Sequence, residues 1–264
     1  PVLLASEKGK GMEVRGEVAQ QGGGVVYELR FTNNSAGPLS DLALQINKNT
    51  FGLAVQTPLQ VPPIAPGASA SASLRLAHDP SKMEIKPAAA GVGGFTVQVA
   101  IKSSVGVFYF TDTVPLGAVH AAGFAMEQQP YLSAWPSLNV AEQAVGQMQG
   151  LPLSSAAAVE KCLNANHVAT VAKREIQPPG TTALYMACKS VAGQGVLMEI
   201  QVAGSAARIT ARSSTPALAG LYPAAVEKAL RASASTPAST PPPTITASPV
   251  ASVSAPVDLL DGLF

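Results

Sequence analysis

Ile46-Asn47-Lys48-Asn49-Thr50-Phe51-Gly52-Leu53 is the stretch that decides how this chain is read. It follows a period-two run, Leu42, Leu44 and Ile46, whose side chains fall on one face of an extended strand. A tight polar turn comes next, and apolar residues return at Leu53. Strand, turn, strand points to a β-sandwich. The flanks repeat the pattern. Met12, Val14 and Val18 begin an alternating run, and Gly22-Gly23-Gly24 supplies the positive φ of a hairpin turn. Tyr27, Leu29 and Phe31 alternate with Glu28, Arg30 and Thr32, and Asn33-Asn34-Ser35 turns the chain again. Beyond the opening stretch, Pro62-Pro63 and Pro66-Gly67 interrupt pairing before a Ser/Ala run to Leu76. Phe95, Val97, Val99 and Ile101 alternate with polar or small residues, and Val105 to Phe110 forms the last strand. Short strands with frequent turns over residues 1–117 predict an immunoglobulin-like sandwich.

The chain has 264 residues, enough for about two domains. Its period changes after residue 117. Ser154 is placed to cap a helix through Ala156, Val159, Cys162 and Leu163, ending near Asn164. Val168 to Ala172 and Val196 to Val202 read as strands, and Ile209 and Ala211 mark another. A last helix starts at Pro216 and runs towards Leu230, with Pro223 kinking or splitting it. Residues 118–231 therefore read as a compact α+β domain, helices against an antiparallel sheet. Residues 232–257 carry no charge and are mostly Ala, Ser, Thr, Pro and Val. Such a segment buries too little apolar surface to offset chain entropy, so disorder is expected over 232–264. It closes on Asp258-Leu259-Leu260-Asp261-Gly262-Leu263-Phe264, where acids, leucines and an aromatic reappear.

With 17 basic and 16 acidic residues, no strong field points to nucleic acid or acidic lipid. No apolar run is long enough to span a bilayer, and residues 1–20 lack a signal-peptide pattern. A soluble, reducing location follows. Cys162 and Cys188 form no CxxC pair and sit in no zinc-ligand spacing with a histidine, so zinc is not expected, and both read as reduced, buried thiols. His78, His120 and His167 fit no metal spacing, and no GxSxG or GxxxxGK[ST] occurs. Neither an enzyme nor a cofactor is expected. The sole tryptophan, Trp135, has two readings. It is a core residue, or, with Tyr131, Tyr185 and Glu199 nearby, an aromatic anchor half-exposed on a sheet for a short peptide. Tyr109 should face opposite to Phe108 and Phe110, beside Lys102, as either an edge tyrosine or a second peptide site.

Asn47-Lys48-Asn49-Thr50-Phe51-Gly52, Thr57-Pro58-Leu59, Val107-Phe108-Tyr109-Phe110, Ala134-Trp135, Val171-Ala172-Lys173-Arg174 and Leu184-Tyr185, in this order and spacing, resemble the C-terminal appendage, or ear, of the beta-adaptins. The resemblance covers about residues 1–231. It implies a sandwich followed by a "platform" domain, both binding short motifs of accessory proteins, with clathrin also contacting the platform. It implies other adaptor subunits as partners through parts absent here. It implies a cytoplasmic location, peripheral on clathrin-coated pits, coated vesicles and trans-Golgi membranes, with only indirect membrane association. By position, Trp135, Tyr185 and Glu199 match the platform site, and Tyr109 and Lys102 the sandwich-side site. Gln128 stands where family members carry an arginine, Pro136 where a lysine commonly follows the tryptophan, and a second platform acid falls near Glu142 or Gln143. The aromatic floor is kept while basic rim charges are missing, so motifs that depend on acidic contacts should bind less well. The family's hinge precedes its ear; here hinge-like sequence follows it. Leu259, Leu260, Asp261, Leu263 and Phe264 loosely resemble the family's clathrin-binding box, or form a chance cluster. Two rivals differ in class. An extracellular sandwich binding carbohydrate or protein would be favoured by a Cys162–Cys188 bridge, and a hydrolase has no motif behind it.

Overall fold

The computed structural model describes residues 1–79, 94–138, 140, 143–153 and 155–235. Glu142, Ser154 and the terminal Leu/Phe cluster lie outside the described residues, as does most of the segment read as disordered.

The opening stretch is a corner between two sheets. Strand β4, Ala43–Asn49, continues through the residues read as a polar turn, with a bulge between Ile46 and Lys48. The chain reverses at Thr50-Phe51-Gly52, with Gly52 at φ 74°. The buried Asn49 amide holds the corner: its Oδ1 accepts from the Leu53 amide at 2.5 Å and its Nδ2 donates to the Leu53 carbonyl at 2.9 Å. Phe51 enters the core and stacks on His78 with ring centroids 4.2 Å apart. The short strand β5, Leu53–Val55, then joins the other sheet.

That sheet has the order β1-β2-β3-β6-β5, from β1 (Val2–Leu4), β2 (Met12–Gln21), β3 (Gly24–Asn33) and β6 (Ser69–His78). Gly22 and Gly23, at φ 57° and 76°, close the β2–β3 hairpin. The facing sheet has the order β4-β7-β8, with β7 at Thr96–Ser103 and β8 at Gly106–Thr113. Their inward residues form an apolar core that includes Val14, Leu29, Phe31, Val97 and Ile101. Inside it the Tyr27 hydroxyl donates to Asp112 at 2.8 Å.

A single-turn 3-10 helix, Leu116–Val119, leads to the third sheet. Its order is β10-β11-β12-β13-β9, all antiparallel: β9 (Ala144–Gln149), β10 (Ala169–Ile176), β11 (Thr181–Lys189), β12 (Gly195–Ala203) and β13 (Ala206–Arg212). Helices cover both faces. Leu184, Met186 and Cys188 of β11 belong to the buried cluster that includes α2 (Ala156–Ala165) and α4 (Tyr222–Ser235). Tyr185, Ala187 and Leu197 face α1 (Gln128–Ser137) on the other side. Ser155, not Ser154, caps α2 by accepting from the Ala158 amide. The last helix is split, as Pro223 suggests, into α3 (Pro216–Ala219) and α4, and Pro223 itself sits in the first turn of α4, where no amide is required. Helix α4 runs on to Ser235, past the expected start of disorder at residue 232. Cys162 and Cys188 are free and buried.

Candidate functional site: an aromatic groove on the platform sheet

Trp135 lies on a helix rather than on a sheet. Gln128, Tyr131, Leu132 and Trp135 fall at i, i+3, i+4 and i+7 and form one face of α1. Pro130 sits in the first turn, where no backbone donor is lost, and Pro136 in the last. Opposite this face, β10 supplies Val171, Ala172, Lys173 and Arg174, while β11 and β12 supply Tyr185 and Glu199, which are paired across the strands. Together they line an open groove of about 350 Å³.

The floor is Tyr131, 2% exposed, whose hydroxyl donates to the Met198 carbonyl at 3.0 Å. Burial, with Glu199 nearby, pushes its ionisation far above the ordinary phenol range, so it remains a neutral donor. Trp135 stacks on it at 5.5 Å and 15°, and Tyr185 meets it edge-on at 5.9 Å. Trp135 and Tyr185 are each half-buried, neither sealed nor free. Leu132, 52% exposed, adds apolar surface at the lip. Each reachable ring carries an arginine: the Arg174 guanidinium lies 5.3 Å from the Tyr185 centroid and that of Arg212 lies 4.3 Å from the Trp135 centroid.

The structure thus brings Gln128, Trp135, Tyr185 and Glu199 together at one groove. Basic charge is not missing from it, because Lys173 and Arg174 line it where Gln128 and Pro136 offer none; the buried Arg212 does not line it but stands over the Trp135 ring. Gln143, one of the two positions weighed for a second acid, is a neutral partner of Arg212. In the sequence Tyr131 stands beside Trp135 without a part as the floor, and Leu132, Arg174 and Arg212 carry no role at the site. Helical spacing from Gln128 to Trp135 carries the signal for the first two; nothing local marks Arg212.

On the sandwich, Tyr109 and Lys102 are exposed on the outer face of the β4-β7-β8 sheet. Tyr109, 62% exposed, pairs with Ala100, and Lys102 pairs with Val107, 53% exposed, so the two lie diagonally on one surface. Neither residue lines the α1 groove.

A β-sandwich followed by a helix-covered sheet with an aromatic groove is the two-part architecture of an adaptor appendage. Residues 121–230 match the family model of the beta2-adaptin appendage C-terminal subdomain, and residues 1–89 that of the adaptin C-terminal domain. The chain is 34% identical over 202 residues to the human AP-1 complex subunit beta-1, and 34% and 33% identical to the rat and mouse proteins. These matches cover 76% of this chain and 20% of each relative, so the chain spans about a fifth of their length. The chain belongs to the beta-adaptin appendage family, the appendages of clathrin adaptor beta subunits.

Proposed function

We propose that this appendage is a non-enzymatic recruiting module whose α1 groove binds short segments of unstructured accessory proteins, and that clathrin is a further partner. The observation that carries the reading is the groove itself: two half-buried rings, Trp135 and Tyr185, held on a buried third and flanked by Arg174 and Glu199. A leucine or aromatic side chain laid against them loses water on both sides, and the charges fix its register. One such contact should be weak, roughly micromolar or about −8 kcal/mol, and many in one coat raise avidity. The exposed Val107, Tyr109 and Lys102 surface is a second site for the same class of partner. The working organisation is a sandwich part, 1–117, and a platform part, 118–231, with a location peripheral to clathrin-coated membranes. The tail cluster Leu259, Leu260, Asp261, Leu263 and Phe264 is a candidate clathrin contact. The extracellular alternative finds no bridge between Cys162 and Cys188 to support it.

A pulldown from cytosol with the full chain tests the proposal. Trp135→Ala should lose accessory proteins, with a cost of at least ~2 kcal/mol in peptide binding, while circular dichroism shows the fold unchanged. Tyr109→Ala should remove a different subset. Equal recovery by wild type and Trp135→Ala would reject the groove assignment.

A further inference from the structure

Arg212 closes β13 at the position paired with Leu197, on the face of the sheet that looks towards α1. It is 9% exposed. Among the described residues, no carboxylate lies within ion-pair distance of it. A guanidinium taken out of water without a counter-ion is expensive, so its hydrogen bonds have to offset much of that cost. Nη1 donates to the Trp135 carbonyl at 2.8 Å, and Nε and Nη2 donate to the Gln143 side-chain oxygen at 3.2 and 3.0 Å. The Trp135 carbonyl belongs to the last turn of α1, where helix carbonyls lack an intrahelical partner and the helix dipole favours a cation. The same guanidinium lies against the indole, 4.3 Å from its centroid. One side chain therefore grips both the backbone and the ring of the groove's main anchor. Two of its five N–H groups remain outside these three bonds.

We infer that Arg212 is the positioning residue of the groove: it clamps the Trp135 indole in a ligand-ready orientation and places a positive charge beside the aromatic floor that selects an anionic side chain in the bound segment. This rests on the reading of the groove as a peptide site. The charges that line the groove are Lys173, Arg174 and Glu199, of which Lys173 is paired with Glu160 at 3.0 Å; Arg212, outside the lining, adds its charge from against the Trp135 ring.

Trp135 is the only tryptophan, so its fluorescence in the full chain reports this site alone. Iodide probes for an anion-attracting field and neutral acrylamide for simple access, both at constant ionic strength. Arg212→Gln should lower the ratio of iodide to acrylamide quenching about two-fold, because the local charge is gone. Arg212→Lys should keep the ratio while raising acrylamide quenching, because an ammonium holds the charge without the planar, forked grip. Arg174→Gln, at an exposed rim, should change the ratio less. Unchanged quenching in both Arg212 variants would overturn the inference. If Arg212→Gln fails to fold, by circular dichroism, Arg212→Lys alone decides the clamp. A clamp that passes while wild type recovers no partners from cytosol would reject the peptide site and leave the clamp. Wild-type recovery with an unaltered ratio would reject Arg212 alone.

Discussion

Trp135 shows how far a single residue can be read. Its identity, its proximity to Tyr131 and the strand-borne Tyr185 and Glu199 were visible along the chain. What was not visible is that an arginine 77 positions away holds it. Arg212 reaches the indole only because four strands set its register, and pairings of that range leave no local mark. The same limit applies to His120. Its Nδ1 bonds the Asn166 carbonyl at 2.8 Å and its Nε2 the Tyr222 hydroxyl at 3.0 Å, in a site closed to water. Burial pushes its pKa down to about 4, against the partly opposing Asn166 bond. The unfolded chain, titrating near 6.5, takes up the proton first as pH falls. The contribution is therefore complete above pH 6.5 and is lost between pH 6.5 and 4, about 3 kcal/mol in all. His78 is shifted in the same direction, and Asp112, pushed up by burial, in the opposing one. Urea midpoints at pH 7 and pH 4.5 should fall less steeply in His120→Gln than in wild type; parallel slopes would contradict the assignment.

Elements were read well where one face alternates cleanly. Strand β7 carries that pattern throughout and β3 from Tyr27 on, whereas β12 buries both faces at Val196, Leu197 and Met198. Helix α1 escaped notice because Pro130 and Pro136 read as breakers; Pro130 occupies the first turn, which tolerates it, while Pro136 lies inside the helix, one residue before its end. Strand β9 escaped because its face is weak: Val145 is exposed and Gly146 has no side chain. The glycine has a packing reason, since a Cβ there would stand 2.6 Å from the Pro223 Cβ on α4. Gly146→Ala should cost about 1–3 kcal/mol by overpacking the α4 contact, measured by chemical unfolding. Ser155→Ala, which removes the α2 cap, should cost about 1 kcal/mol in the same assay. A negligible effect of both would mean that the α2 and α4 layer packs more loosely than drawn.

Across the molecule, sandwich and platform share one continuous apolar core. A line of rings crosses the junction: Phe51 meets Phe95 at 4.7 Å, Phe95 meets Tyr222 at 5.5 Å, and Tyr222 lies parallel to His120 at 5.7 Å. Length and a change of period suggest two parts, and neither signal encodes whether they share a core. Phe95→Ala should cost about 3–5 kcal/mol and lower the transitions of both parts together, as followed by calorimetry. Separate transitions would show that the parts unfold independently.

Binding by this appendage depends on reachable rings held on a rigid support. The most direct measurement is the affinity of a partner segment recovered from cytosol by the wild-type chain, titrated calorimetrically against wild type and Trp135→Ala. The expected result is a micromolar Kd that weakens about thirty-fold or more in the variant, corresponding to a loss of at least ~2 kcal/mol. Equal affinities for the two folded proteins would contradict the claim that this groove is where the appendage binds.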